Sequence, residues 1–334
     1  MSSLRILFLG GTGMISTACV RAAVAAGHDV TVLNRGRGDR ELPPSVRTAR
    51  GDVRSADDIR AVLGGDHYDV VADFLSFVPQ HVQTVLSAVE GRAGQYIFIS
   101  SASAYEKPPR TLPVTESTPL RNPFWRYSRD KIDCEDLLVA AHRTRALPVT
   151  IVRPSHTYDE AGIPTMGGWT DIARMRAGKP VIIHGDGTSL WTITHSDDFA
   201  VAFTALLGNP AAIGDAFTIT GTHTPTWNQI YGWLADAAGV AAPEFVHVAS
   251  EAIARFAPDL GPTLLGDKAH SMVFDSSKVT RLAPDFRTTV TFDEGARRIL
   301  AFYDAHPDRQ VVEPELDAAF DALAEYAGRA GASE

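Results

Sequence analysis

Short apolar, β-branched runs alternate with amphipathic stretches through the first half of this chain. Runs at residues 4–9, 29–33, 48–50, 70–74, 95–99 and 149–152 have the length and composition of strands. Between them, apolar positions at helical spacing predict helices over 15–26, 56–63, 79–89 and 127–142. Alternation of this kind specifies an α/β fold, a Rossmann-type, doubly wound parallel sheet with helices on both faces. After Pro154 the pattern loosens. Residues 164–169 and 184–188 read as loops, and helices recur at 197–207, 227–238 and 293–305. No repeat or low-complexity linker interrupts the chain, and the tail 328–334 reads as frayed. The expected organisation is a dinucleotide-binding domain over 1–155 and a smaller C-terminal substrate lobe over 156–330, partly interleaved with the first.

Composition narrows the function classes. The 334 residues are 45% hydrophobic and 21% charged, as in ordinary globular proteins. A formal charge of −9 argues against nucleic acid or an anionic membrane surface as partner, since both select clustered Lys and Arg. Cys19 and Cys134 read as reduced packing thiols of a cytoplasmic protein. The chain has no apolar run of membrane-spanning length, and its first apolar run is too short for a signal peptide. No His/Cys/Asp cluster has metal-ligand spacing, so no metal is expected.

The candidate chemistry begins where the first strand ends. Gly10-Gly11-Thr12-Gly13-Met14-Ile15-Ser16 separates that strand from an alanine-rich helix. Strand, tight glycine turn and helix in this order suit a dinucleotide pyrophosphate, because the backbone can approach the phosphates and helix-start N–H groups face the anion. Tyr127 and Lys131 stand four residues apart on a predicted helix and therefore project from the same face. A phenol is a poor base at neutral pH, and a neighbouring ammonium favours its ionised form. At the end of the second strand, Asn34-Arg35-Gly36-Arg37 replaces the acidic residue that would bond an NAD ribose and repel a 2′-phosphate. Arg35 or Arg37 could pair with that phosphate, so NADP is favoured over NAD.

These features resemble the extended, epimerase/dehydratase-like branch of the short-chain dehydrogenase/reductase superfamily, and the resemblance covers nearly the whole chain. Gly10, Gly13 and Ser16 follow its G-x-x-G-x-x-G turn, with Ser in the third place. Asp52-Val53 resembles the pair beside the adenine, and Val152-Arg153-Pro154 the segment that closes over the nicotinamide. The run from Phe98 to Tyr105 resembles the strand end carrying a catalytic hydroxyl. The resemblance implies Ser101, Tyr127 and Lys131 as a catalytic triad, with Ser100 and Ser103 close enough to compete for the first role. It implies cofactor contacts from Gly10, Thr12, Gly13, Met14, Ile15, Asn34, Arg35, Asp52, Val53, Leu75, Ser100, Tyr127, Lys131 and Pro154, and substrate contacts from Ser103, His156 and Trp191. It further implies a small-molecule substrate and is compatible with a homodimer. Bacterial epimerase-like proteins and the plastid stem-loop-binding group share the Asn-Arg-Gly after the second strand.

Two departures bear on the substrate. Family dehydratases carry Asp-Glu directly after the catalytic hydroxyl, where Ala102 and Ser103 stand here, which disfavours a sugar 4,6-dehydratase. The nucleotide-sugar enzymes hold the diphosphate with an Arg at the position of Trp191 and with one or two more before a Gly-Asp. Here Thr263-Leu264-Leu265 precede Gly266-Asp267, leaving Arg174, Arg176, Lys268 or His270 to compensate. Trp191 offers either a flat face for a sugar or ring, or a plain core side chain. His195 reads as structural, before a helix that Ser196 or an Asp would cap. The expected activity is NAD(P)-dependent hydride transfer with a secondary alcohol or ketone, as net reductase or dehydrogenase or as a self-redox epimerase. A nucleotide-sugar epimerase with a rearranged phosphate clamp and a non-catalytic dinucleotide-sensing or RNA-associated protein are the alternatives.

Overall fold

A computed structural model describes residues 3–38 and 40–331. Its centre is a seven-stranded sheet built from β1 (Arg5–Leu9), β2 (Asp29–Asn34), β3 (Arg47–Arg50), β4 (Tyr68–Asp73), β5 (Ala93–Ile99), β6 (Val149–Pro154) and β10 (Asp215–Ile219). The spatial order is β10-β6-β5-β4-β1-β2-β3, and every pairing is parallel. The central strands are apolar on both faces because helices cover both. On one face α1 (Met14–Ala25) and α6 (Ser196–Leu206), the latter through Phe199 and Phe203, pack on Ile6, Phe8, Val30 and Val32. On the other, α2 (Ala56–Leu63), α3 (Pro79–Val89) and α4 (Arg126–Arg145) cover Leu7, Leu9, Val71 and Phe98. The order reverses between β1 and β4, which opens a crevice at their carboxyl ends, the place where doubly wound sheets bind ligands.

The six expected strands of the sheet form with shifted ends: Phe74, expected in the fourth, lies just past β4. The second half holds more regular structure than its sequence pattern suggests. It contributes α6 and β10 to the main sheet layer. It also forms two parallel strand pairs, β7 (His156–Tyr158) with β9 (Ile193–His195), and β8 (Val181–His184) with β11 (Phe245–Val248). Helices α5 (Trp169–Arg176), α7 (Trp227–Ala237), α8 (Ser250–Phe256), α9 (Ser277–Leu282), α10 (Phe292–Ala305) and α11 (Pro314–Gly331) complete it. Three expectations are corrected. Trp169 begins α5 rather than ending a loop, because its indole stacks on Tyr303 with ring centres 4.9 Å apart. His184 ends β8 rather than opening a loop, and the loop proper begins at Gly185, where φ is +62°. The tail is helical through Gly331, since Phe320 and Leu323 are fully buried against Ile253 and Leu264; residues 332–334 of that expectation lie outside the described residues.

Candidate active site

The glycine turn fits a dinucleotide on steric grounds. Gly10 has φ +85°, and a Cβ there would lie 2.9 Å from the Leu75 side chain; on Gly11 it would lie 2.7 Å from Val32. The backbone can therefore press against both strands and leave a groove in front. Met14 and Ile15 open α1, so their N–H groups have no acceptor within the helix and face that groove. A cavity of about 520 Å³ runs along it. Gly10, Thr12, Gly13, Met14, Ile15, Asn34, Arg35, Leu75, Ser100, Ser101, Tyr127, Lys131 and Pro154 all line this cavity. Asp52 and Val53 line a side chamber with Asn34, Arg35, Arg54, Leu75 and Phe77. The residues present fit an extended dinucleotide lying along the groove.

The Asn34 end of the groove is cationic. Asn34 Oδ1 accepts from the Gly36 N–H at 2.8 Å and so forms its own turn. Arg35, Arg37 and Arg54 are exposed around it, and Arg50 on β3 pairs in register with Asn34 and approaches Gly36. None of the four guanidinium groups has an acidic partner among the described residues. Arg50 and Arg54 were not legible as site residues, because only strand pairing brings them beside Asn34.

Lys131 is buried, and its Nζ donates to the carbonyls of Ser76 and Ile99, both at 2.7 Å. Two of its three N–H groups are thus fixed, and one is left for a ligand. Burial pulls its pKa down to about 8. Asp73 builds the Ser76 end of this cradle. Its fully buried carboxylate accepts from the N–H groups of Leu75 and Ser76, from Ser76 Oγ at 2.6 Å and from Tyr96 Oη at 2.7 Å.

Tyr127 lies where the dinucleotide cavity meets a second cavity of about 290 Å³. Its ring centre is 4.9 Å from that of Trp125, and Lys131 Nζ is 5.8 Å away. Burial raises its pKa and a hydrogen bond from the Ser101 side chain lowers it, with a net shift upward. The sequence expects Lys131 and an oxidised nicotinamide together to bring the phenol into range; in the protein alone, burial sets the direction. The three serines separate cleanly. Ser100 Oγ is spent on Glu135, at 2.5 Å, so this predicted cofactor contact reaches the cavity without its hydroxyl. Ser103 is buried behind Ser101, with the two Oγ atoms 2.9 Å apart. Ser101 is the serine whose side chain acts on the Tyr127 phenol, and the two residues line both cavities together. Of the segment Val152-Arg153-Pro154, Pro154 lines the cavity, while Arg153 is buried and bonds Glu135 and Tyr105.

The second cavity is walled by Trp125, Trp191, Met272 and Phe274, with Ser101, Ser103, His156, Thr157 and Thr192 supplying polar atoms. Trp191 is only 3% exposed and packs tilted against Trp227, with ring centres 5.2 Å apart, which is nearer the core reading of the two left open, although it still lines the cavity. Its indole N–H donates to His156 Nδ1 at 3.0 Å. Burial and the charge of Lys268 push the pKa of His156 down to about 3. The ring is therefore neutral at working pH, carries its proton on Nε2, and presents a donor. A wide helical turn over Leu264–Lys268 places Asp267 and Lys268 on the wall.

The other compensating cations are elsewhere. Arg174 bonds Asp317, Asp321 and the Pro180 carbonyl, and Arg176 bonds Asp304. His270 Nε2 lies 3.2 Å from the Leu265 carbonyl. Away from this site, Glu160, His195 and Asp197 come together, which the sequence reading did not foresee. They meet opposite ring nitrogens, and His195 Nδ1 accepts from the Asp197 N–H, so His195 itself caps α6 where Ser196 or an Asp was expected. Asp198 instead turns to the N–H groups of Thr289 and Val290. Cys19 and Cys134 are buried and unpaired. No helix among the described residues is long and apolar enough to cross a membrane.

Comparison with known proteins agrees with this geometry. The chain is 29% identical over 290 residues to a 2′-dehydrokanamycin reductase of Streptomyces kanamyceticus, covering 85% of this chain and 80% of that protein. It is 29% identical over 259 residues to the chloroplast stem-loop binding protein of 41 kDa b of Arabidopsis thaliana, covering 74% of this chain and 66% of that one. In fold it is similar to the UDP-glucose 4-epimerase of Bifidobacterium longum solved with NAD+ and UDP. The TM-score is 0.72 at 19% identity, over 91% of this chain and 99% of the other. Residues 6–220 match the NAD dependent epimerase/dehydratase family, and the chain belongs to that family of oxidoreductases.

Proposed function

We propose that this chain is an NADP-dependent reductase or dehydrogenase acting on a ketone or secondary alcohol of a sugar-like or ring-bearing small molecule. The observation that carries the reading is the meeting of Ser101, Tyr127 and Lys131 at the junction of the dinucleotide groove and the second cavity. A bound dinucleotide supplies or accepts hydride at its nicotinamide. Tyr127, held protonated by its raised pKa, gives its proton to the substrate oxygen during reduction. Ser101 donates to the same oxygen, and the free N–H of Lys131 holds the nicotinamide ribose. In the oxidation direction the positive nicotinamide draws the phenol toward ionisation. The four arginines around Asn34, which have no acidic partner among the described residues, support NADP over NAD. The aromatic wall with neutral donors, and the engagement of Arg174 and Arg176 elsewhere, support a substrate without a nucleoside diphosphate. The similarity to a reductase over most of both chains points the same way.

The test is NADPH consumption with a panel of keto-sugars and keto-cyclitols. At least one ring ketone is expected to be reduced. Tyr127→Phe should lower that turnover by ~10²–10⁴, the range for a lost general acid, with NADP affinity unchanged. A fall of less than about threefold would overturn the assignment. Mass spectrometry of the denatured protein separates the epimerase reading: a retained NAD supports it, and an exchangeable cofactor supports net redox chemistry.

A further inference from the structure

The hydroxyl groups at the site continue as a chain behind Ser101. Ser128, fully buried on α4, donates to Ser103 Oγ at 2.8 Å. Ser103 Oγ lies 2.9 Å from Ser101 Oγ, and the Ser103 N–H also donates to Ser101 Oγ, at 3.2 Å. Asn122 fixes the turn that carries this pair, its Nδ2 donating to the Ser103 carbonyl at 2.9 Å and to the Gly266 carbonyl at 2.6 Å.

A hydroxyl has one proton and two lone pairs, so the direction of the chain can be counted. Ser128 gives its proton to Ser103. Ser103 must then place its own proton, and among the described residues Ser101 Oγ is the acceptor beside it. Run the other way, Ser103 would receive two protons and bury a third without an acceptor, an arrangement folded proteins avoid. With Ser103 donating through both its hydroxyl and its N–H, both lone pairs of Ser101 are filled. Its single proton is left for Tyr127 or for the substrate oxygen.

We infer that Ser103 and Ser128 are positioning residues that hold Ser101 as an obligate donor toward the Tyr127 oxygen and the substrate carbonyl. The inference rests on the proposed roles of Ser101 and Tyr127. It also assigns a use to Ser103: it acts through Ser101. A freely rotating Ser101 would donate part of the time and accept part of the time. The chain removes the second option before substrate arrives, which is preorganisation of the kind that stabilises developing charge on oxygen.

The titration of Tyr127 reads this without a substrate. Protein carrying ζ-¹³C tyrosine and saturated with NADP+ is titrated by NMR, and the Tyr127 resonance among the eight tyrosines is the one missing in Tyr127→Phe. Asp267, which also acts on the phenol, is untouched by these substitutions, and Lys131, with its pKa near 8, loses its proton ahead of the phenol in every variant alike. Ser101→Ala should lower the ionisation constant of Tyr127 about tenfold, the scale of a lost charge-assisted bond. Ser103→Ala and Ser128→Ala should each lower it about threefold or more, and Ser103→Thr, which keeps the hydroxyl, should restore it. Ser103→Cys and Ser128→Cys keep the volume while weakening donation, and give the same reading if an alanine variant does not fold. If Ser101→Ala shifts the titration and the Ser103 and Ser128 variants do not, the positioning chain is wrong and the Ser101–Tyr127 pair stands. If Ser101→Ala has no effect, the pair itself fails, and the inference with it.

Discussion

Removing the Glu135 carboxylate tests what holds the reactive elements together. Glu135 lies one helical turn beyond Lys131 on α4, where it is buried. It accepts Ser100 Oγ at 2.5 Å, Arg153 Nε at 3.0 and 3.2 Å, and Arg153 Nη2 at 2.5 Å. Glu135, Ser100 and Arg153 sit on α4 and at the ends of β5 and β6, the elements that carry Tyr127, Ser101 and Pro154. Glu135→Leu leaves the Arg153 guanidinium buried with only Tyr105 Oη, at 3.0 Å, and an arginine cannot escape by losing its proton. Breaking such a pair costs about 3–5 kcal/mol, a large share of the ~5–15 kcal/mol that stabilises a typical domain. Arg153→Met should be milder, because the stranded carboxylate can take up a proton. The double variant Glu135→Leu/Arg153→Met removes both charges and leaves only hydroxyl bonds broken, for about 1–2 kcal/mol. Urea unfolding followed by tryptophan fluorescence measures all three, and the cycle isolates the coupling. A Glu135→Leu cost under about 1 kcal/mol, or a double variant as costly as the two singles added, would refute the reasoning.

Three further outcomes are expected. Arg35→Ala should weaken NADP binding by about 1–2 kcal/mol, the charge-assisted range reduced for an exposed side chain, and leave NAD unchanged; equal calorimetric affinity of the wild type for both dinucleotides would remove its basis. UDP and TDP should bind the cofactor-loaded protein weakly in calorimetry, because a desolvated diphosphate without paired cations is penalised, and low-micromolar binding would show that Lys268 completes a clamp. Glu160 is held down to about 2 chiefly by its hydrogen bond to His195, so its stabilisation is present above the ordinary carboxylate range and lost as pH falls toward 2. Its side chain is 42% exposed, so screening keeps the effect small, and Glu160→Gln should flatten only the acid limb of urea stability between pH 5 and 2.

What could be read from the chain followed the range of the interaction. The glycine turn was legible because strand, Gly10-Gly11-Thr12-Gly13 and helix follow one another without a break, although the side chains it presses on, Leu75 and Val32, come from further along the chain. Tyr127 and Lys131 were legible because the helical period fixes their relation before any tertiary contact forms. Ser100, Ser101 and Ser103 could not be ranked along one strand end. Their order comes from Glu135, from Tyr127 and from Ser128, which are 35, 26 and 25 residues away. Asp73 and Arg50 act through strand pairing and loop closure, and neither carries a motif. The second lobe was read least well. Its strands are three or four residues long, and β8 finds β11 across some sixty residues of intervening chain.

Trp191 shows why this unevenness falls on the substrate rather than on the cofactor. Read alone, the indole offered a stacking face or a core side chain. The fold makes it mostly the second and adds a task neither reading contained, fixing His156 as a neutral donor by giving its N–H to Nδ1. Arg174 shows the converse, a cation that sequence left available and that Asp317, more than a hundred residues later, occupies. The dinucleotide's phosphates and ribose are recognised by backbone geometry and helix ends, which repeat wherever a strand, a glycine turn and a helix follow one another. The substrate is recognised by side chains whose availability depends on distant partners. In this chain those partners remove the arginines and leave a neutral histidine, two serines and an aromatic wall. With Asp267 and Lys268 beside them, these groups make up the wall on which the proposed ring-ketone substrate rests, and they are visible only once the long-range pairs are known.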